Sequence, residues 1–247
     1  MLKLLTIGLT LASSLSLLAQ TSSTAQKTTT HKGTATKAAS TAKPEPKIVI
    51  HTTSGDMHCT LFPDKAPIGV ENFIGLATGK KDWTNPVSHA KKHNVPLYDG
   101  TIFHRVIPEF MVQGGDPAGN GSGDPGYTFK DEVSSDLLFD RPGRMAYANS
   151  GPNTNGSQFF ITEDVAHSRH LSGHYTIFGQ CDPATVELVK KIARMPRDPS
   201  NDKPFHPVRI THIDVIQPGT APAHTSGTHK SGTTHKAGTT KSATPQQ

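Results

Sequence analysis

From residue 47 onward the chain runs in short apolar stretches broken by turn formers. Lys47 to Thr52 is β-branched and apolar, Ser54-Gly55-Asp56 supplies a turn, and Met57 to Phe62 reads as the return strand of a hairpin. Pro67 opens a helix with Val70, Phe73, Ile74 and Ala77 on one face, and Gly79 stops it. Thr101 to Ile107, Phe110 to Gln113, Arg144 to Ala148, Gln158 to Thr162 and Tyr175 to Cys181 are further strand candidates. Asp182-Pro183 pairs a cap with a first-turn proline and opens a second helix, which carries Val186, Val189, Ile192 and Ala193 on one stripe. Val208 to Ile216 reads as a last strand. The helices do not alternate with the strands, which disfavours a parallel βαβ sheet. Many short strands with Gly/Pro turns suggest a β-sandwich or a β-barrel, and the pattern does not choose between them.

This patterning fades at both ends. Residues 20–46 and 218–247 are almost wholly Thr, Ser, Ala, Gly, Lys, His, Pro and Gln. Such segments bury too little apolar surface to offset their ordering entropy and are expected to be disordered tails. They share a loose repeat, His31-Lys32-Gly33-Thr34 against His229-Lys230-Ser231-Gly232-Thr233 and His235-Lys236-Ala237-Gly238-Thr239, best read as solvated spacer. Residues 47–217 then form one domain of ordinary size.

Ahead of the first tail, Lys3 precedes an apolar run from Leu4 to Leu18, and Ala19 followed by Gln20 is a plausible cleavage point. Residues 1–19 thus read as a secretory signal peptide, too short for a membrane span, and the expectation is export to the periplasm or beyond, without stable membrane insertion after its removal. The formal charge of +5 changes little, because Lys3, Lys27, Lys32, Lys37, Lys43, Lys230, Lys236 and Lys241 lie outside the domain and leave it slightly acidic. Basic residues scattered through tails do not make a nucleic-acid site, and none is expected. In an oxidising compartment Cys59 and Cys181 are free to form a bridge; two buried thiols are the alternative.

Two stretches carry the chemistry. Phe103 to Asp116 (Phe103-His104-Arg105-Val106-Ile107-Pro108-Glu109-Phe110-Met111-Val112-Gln113-Gly114-Gly115-Asp116) places a guanidinium, a Phe–Met pair and a carboxamide close together. Strand alternation puts Arg105 on one face with Phe103 and Ile107, where a charged side chain is rarely filler; a structural ion pair is the plainer alternative. Asn149 to Ile161 (Asn149-Ser150-Gly151-Pro152-Asn153-Thr154-Asn155-Gly156-Ser157-Gln158-Phe159-Phe160-Ile161) is a polar loop running into an aromatic strand.

Both stretches resemble the signature segments of cyclophilin-type peptidyl-prolyl cis-trans isomerases. Leu61-Phe62-Pro63-Asp64-Lys65-Ala66-Pro67 leading to Glu71-Asn72-Phe73, Tyr98-Asp99-Gly100, and Thr176-Ile177-Phe178-Gly179 resemble the family too, in the right order across residues 47–217. The resemblance implies a mainly β fold, a closed eight-stranded antiparallel β-barrel capped by two α-helices. It implies that Arg105 is the catalytic guanidinium and that Phe110, Met111, Phe160 and Leu171 line the proline pocket. Gln113 and Asn149 would hydrogen-bond the peptide backbone, and His104, Ala148 and Gln158 would complete the groove. One departure stands out: members known for binding cyclosporin carry Trp directly before Leu171, where this chain has His170, and Tyr175 stands where a pocket-edge His is usual.

The implied reaction breaks no bond, so no nucleophile, metal or other cofactor is expected. The partners expected are proline-containing segments of folding exported proteins, met by a monomer. Competing motifs are weaker. The Gly-rich run 114–123 lacks the Gly-Lys-Ser/Thr ending of a phosphate loop and reads as a barrel loop. His167, His170 and His174 are spaced two and three apart but are split by Ser172-Gly173, so they read as loop histidines rather than a zinc site. Ser157 lies outside any nucleophile elbow.

Overall fold

The structure, a computed structural model, describes residues 45–218. The expected signal peptide, most of the first tail and nearly all of the second lie outside the described residues.

The first hairpin follows the alternation seen in the sequence. Strand β1 (Lys47–Thr52) buries Ile48 and Ile50, and β2 (Gly55–Leu61) buries Met57, Cys59 and Leu61. Helix α1 (Pro67–Ala77) starts on its proline and ends just before Gly79, whose φ of 72° is open to glycine at no steric cost. There a Cβ would come within 2.9 Å of the backbone of Val95 and Pro96. Val70, Phe73, Leu76 and Ala77 form the buried face of α1, while Ile74 is only partly covered. A two-stranded ribbon follows, β3 (Trp83–Thr84) with β4 (Lys91–Lys92).

The remaining strands are β5 (Arg105–Ile107), β6 (Met111–Gly114), β7 (Arg144–Tyr147), β8 (Phe159–Thr162), β9 (Ile177–Cys181) and β10 (Ile210–Ile216). Helix α2 (Pro183–Ala193) lies between the last two. The Asp182 side chain accepts a hydrogen bond from the Thr185 amide at 2.7 Å, and Val186, Val189, Ile192 and Ala193 are buried as expected. The main sheet is eight-stranded and antiparallel, in the order β10-β1-β2-β9-β7-β8-β6-β5.

The sheet is curled into a half-barrel and does not close, which corrects the expected closed barrel. Its two edge strands, β5 and β10, share no ladder; the seam is crossed by an isolated bridge from Ile102 to Arg209 and by single backbone hydrogen bonds, among them Phe103 N–H to the Val208 carbonyl at 3.0 Å. The physical cause lies in the segment that would have to pair with β5. Pro204 and Pro207 have no N–H to donate, and strand β5 is three residues long.

The main core fills the concave side, with Phe73 at its centre against Tyr98, Phe159 and Phe178 at centroid distances of 4.8, 5.5 and 5.3 Å. A second, smaller cluster of Met111, Phe139, Ala146, Phe160, Leu171 and Ile177 packs on the opposite face. Alternation makes this possible: Val112, Met145, Tyr147, Phe159 and Ile161 point one way, and Met111, Ala146 and Phe160 the other. Cys59 and Cys181 stand opposite one another on β2 and β9 and are joined by a disulfide, which decides between the two readings of these cysteines.

Candidate active site

The second cluster is the floor of a groove of about 510 Å³. The ladder sets the row that crosses it: Arg105 pairs with Gln113, Gln113 with Phe160, and Phe160 with Ala146. Residues directly opposite on neighbouring strands share a face, so the guanidinium, the carboxamide and the benzyl ring are held side by side by backbone hydrogen bonds. Met111, Phe160 and Leu171 are buried at the groove floor, with Phe110 and Tyr175 half-buried at its rim. Tyr175 meets Phe160 edge-on at 5.6 Å, and Phe139 stacks behind Phe160 at 5.8 Å. The result is an apolar floor with an aromatic wall.

Polar groups surround this floor. An Arg105 Nη1 donates to Gln113 Oε1 at 3.5 Å, and the Arg105 Nε lies 3.8 Å from Asp202 Oδ2. Gln113 Nε2 donates to Gln158 Oε1 at 2.9 Å, and Gln158 Nε2 donates in turn to the carbonyls of Gly121 (3.0 Å) and Gly123 (2.9 Å). Gln158 therefore sits behind Gln113 as its support and is absent from the groove lining. Asn149 follows β7. Its Oδ1 accepts from the Gly151 amide at 3.3 Å, and its Nδ2 is buried without a protein partner. An unpaired buried donor in a groove is free to serve a ligand carbonyl.

His104 lines the groove and is buried. Burial pushes its imidazole pKa below the ordinary value, against the pull of the Asp116 carboxylate, so the ring is neutral near pH 7. Ala148 also lines the groove. His170 does not. It lies in the 3₁₀ turn Arg169–Leu171 and stacks on the outer side of Phe110, with ring centroids 6.3 Å apart.

The Gly-rich run wraps an aspartate. Asp116 accepts from the amides of Ala118 (2.7 Å), Asn120 (2.9 Å) and Gly121 (2.6 Å). Burial alone would raise the Asp116 pKa, but these amides outweigh it and hold the carboxyl below its usual value. The run thus brings Asn120 and Gly121 to the groove wall. Asn201 and Lys203, from the loop before β10, also line the groove, with Lys203 Nζ donating to the Gly119 carbonyl of that run. Sequence reasoning missed these four, and Phe139 as well. Only the glycines gave a local signal; Asn201 and Lys203 are brought in by tertiary contacts alone. Among the described residues no group of three or more His, Cys, Asp and Glu side chains is arranged to hold a metal ion.

Comparison with known proteins agrees with this geometry. Residues 47–215 match the family model described as cyclophilin type peptidyl-prolyl cis-trans isomerase/CLD. The chain is 47% identical over 167 residues to peptidyl-prolyl cis-trans isomerase B of Streptomyces anulatus, covering 67% of this chain and 94% of that protein. It is also 47% identical over 167 residues to peptidyl-prolyl cis-trans isomerase A of Mycobacterium tuberculosis, covering 67% and 90%. Among solved structures it resembles a cyclophilin type peptidyl-prolyl cis-trans isomerase of Cryptosporidium parvum, with a TM-score of 0.57, 34% identity, and coverage of 69% of this chain and 97% of that one. A crystal structure of the same protein in the presence of the dipeptide Ala-Pro matches with a TM-score of 0.55.

Proposed function

The chain belongs to the cyclophilin-type peptidyl-prolyl cis-trans isomerase family and is an isomerase of X–Pro peptide bonds, and from that premise we propose that Arg105 catalyses the rotation, in an exported enzyme, on proline-containing segments held in the groove of residues 104–203. The observation that carries this reading is the cross-strand row of Arg105, Gln113 and Phe160.

Rotation about an X–Pro bond is opposed by amide resonance, a barrier of about 18–20 kcal/mol. The protein lowers it by favouring the twisted amide. In this reading the proline ring sits on Met111, Phe160 and Leu171, between Phe110 and Tyr175, which fixes one side of the bond. The Asn149 Nδ2 donor and the Gln113 carboxamide hold the adjoining backbone, and Gln158 keeps Gln113 from turning. As the amide twists, the proline nitrogen becomes pyramidal and basic. The Arg105 guanidinium, always charged, donates to that nitrogen and so stabilises the transition state more than the planar ground state. No part of this cycle requires a cofactor.

Export is supported by the apolar run Leu4 to Leu18 ahead of Ala19, and by the Cys59–Cys181 disulfide, which fits an oxidising compartment. No helix among the described residues is long and apolar enough to cross a membrane. The enzyme is proposed to act as a monomer, and the slightly acidic domain does not suit nucleic acid. Residues 47–217 are proposed as the catalytic domain between spacer tails.

The decisive experiment follows cis–trans exchange of a short Ala-Pro peptide with the full chain, its Arg105→Ala variant, and residues 47–217 alone. The full chain and the domain should turn over the peptide alike, and Arg105→Ala should lose at least about tenfold in kcat/KM, roughly 1.4 kcal/mol. Undiminished turnover by Arg105→Ala removes that residue from the mechanism. For export, the mature protein should begin at or near Gln20; an intact Met1 in the cytoplasmic fraction overturns the reading.

A further inference from the structure

The loop between α2 and β10 is tightly built. Arg197 bridges to Pro204, the Asp198 amide donates to the Lys203 carbonyl (2.9 Å), and the Asp202 amide donates to the Asp198 carbonyl (2.8 Å). The Asp198 carboxylate accepts from the Ser200 amide (2.8 Å) and from Asn201 Nδ2 (3.3 Å). Two contacts then tie the loop to the groove. The Val106 amide, next to Arg105 on β5, donates to the Asp202 carbonyl at 2.9 Å, and Lys203 Nζ donates to the Gly119 carbonyl at 2.8 Å.

At the tip of this loop one carboxylate faces two guanidinium groups. Asp202 Oδ1 accepts from Arg197 Nε at 3.0 Å, while Oδ2 lies 3.8 Å from Arg105 Nε. Arg105 is otherwise engaged at Nη1, by Gln113 Oε1 at 3.5 Å. These contacts leave Nη2 outside them. We propose that Asp202 is a positioning residue for Arg105: its carboxylate, itself anchored by Arg197, fixes the direction in which the guanidinium fork faces the groove. The inference rests on the reading of Arg105 as the catalytic cation.

Three physical points support it. First, the Arg105 side chain is 42% exposed, so packing alone does not fix its rotamers, and a free arginine would spend much of its time turned into solvent. Second, the trio of Arg105, Asp202 and Arg197 keeps one net positive charge, so the anchor does not cancel the cation. Third, Asp202 has a φ of 59°, in the left-handed region that costs most side chains energy. Aspartate is one of the few side chains that enter this region readily, so the carboxylate is presented to both arginines at little backbone cost.

The left-handed backbone also supplies clean variants. Asp202→Gly removes the carboxylate where glycine is at ease, and Asp202→Asn keeps shape and backbone preference while removing the charge. The full-length protein, both variants, Arg105→Ala and the Arg105→Ala/Asp202→Gly pair are compared for kcat and KM on an Ala-Pro peptide, with thermal melts alongside. Asp202→Gly should lower kcat on the order of tenfold with little change in KM or melting temperature, as expected for a misaimed catalytic group. Asp202→Asn should fall between it and the unmodified protein. In the Arg105→Ala background, Asp202→Gly should cost nothing further, because the group it positions is gone. Full kcat in both Asp202 variants, or an equal loss with and without Arg105, overturns the proposal. Full activity of Arg105→Ala overturns the catalytic reading beneath it instead, so the two failures are distinct.

Discussion

Phe159 and Phe160, consecutive on β8, serve opposite faces of one sheet. Phe159 is fully buried in the main core, edge-on to Phe73 at 5.5 Å and to Tyr98 at 5.7 Å. Phe160 faces the other way, backed by Phe139 and edged by Tyr175, and forms part of the groove floor. The two-residue period of the strand divides core and groove between neighbours of identical chemistry.

The two rings should therefore respond differently to substitution. Phe159→Ala is expected to destabilise the domain by about 3–5 kcal/mol, a large share of typical total stability. Phe160→Leu, which keeps most of the volume, should cost less than about 1.5 kcal/mol while raising KM for a proline peptide several-fold. Chemical denaturation and steady-state kinetics on both variants check this. A Phe160→Leu enzyme with unchanged KM would show that the proline ring binds elsewhere.

A pH dependence follows from His51. Its Nδ1 faces Asp56 Oδ1 at 2.9 Å on β2, and its Nε2 faces Asp214 Oδ2 at 3.1 Å on β10. His212, its cross-strand partner, also reaches Asp214 at 3.5 Å and faces Asp99 at 3.3 Å. Burial alone would lower the His51 pKa, but the hydrogen bonds to Asp214 and Asp56 outweigh it and the net shift is upward from 6.5. A raised folded pKa means stability that is fully present below the unfolded value and lost as pH rises through the folded one. The melting-temperature gap between the unmodified protein and His51→Gln should thus be wider at about pH 5.5 than at about pH 9, and narrower at high salt because the pair is partly exposed. A gap that widens with pH would reverse the assignment.

Much of this was legible in the sequence, for identifiable reasons. The hairpin of β1 and β2 and the capped start of α2 declare themselves through alternation and through Asp182-Pro183, which are local signals. The groove residues on β5, β6 and β8 sit in two long motifs, so Arg105, Gln113 and Phe160 could be named before their register was known. What stayed hidden depends on distant parts of the chain. The ribbon of Trp83–Thr84 with Lys91–Lys92 is too short for periodicity to show. Whether the sheet closes depends on the meeting of β5 with a proline-bearing segment about a hundred residues later. Asn201, Asp202 and Lys203 are polar loop residues with no local mark of their place beside Arg105. The disulfide could not be read from two cysteines alone, since only the pairing of β2 with β9 sets them opposite each other.

That disulfide closes a sequence separation of 122 residues. Cross-links over long loops restrict the unfolded chain most, and losing this one is expected to cost about 2–5 kcal/mol. The bridge lies apart from the groove lining. A Cys59→Ala/Cys181→Ala protein should therefore melt well below the oxidised form while keeping its kcat/KM at a temperature where it is still folded. Reductant should shift the unmodified protein the same way and leave the double variant unaffected. Equal melting temperatures for oxidised and double-variant proteins would show that the bridge adds nothing to stability.

The position before Leu171 is expected to set the response to cyclosporin. Family members known for binding the drug carry Trp there, which offers a wide apolar wall and an indole N–H donor. In this chain His170 stacks on the outer side of Phe110 and does not line the groove. An imidazole covers less apolar area than an indole, a deficit on the order of 1–2 kcal/mol before the misplaced donor is counted. In the proposed reading short proline peptides rest on the deeper floor of Met111, Phe160 and Leu171, and His170 is absent from the groove lining, so they should feel the difference little. The expected outcome is normal peptide turnover with weak cyclosporin inhibition, and inhibition tightened about tenfold or more in His170→Trp, the ratio that corresponds to about 1.4 kcal/mol. Inhibition curves for both proteins against one Ala-Pro peptide measure this. If the unmodified protein is already inhibited at nanomolar drug, the wall at residue 170 contributes far less than its area implies, and the groove floor alone must carry the affinity.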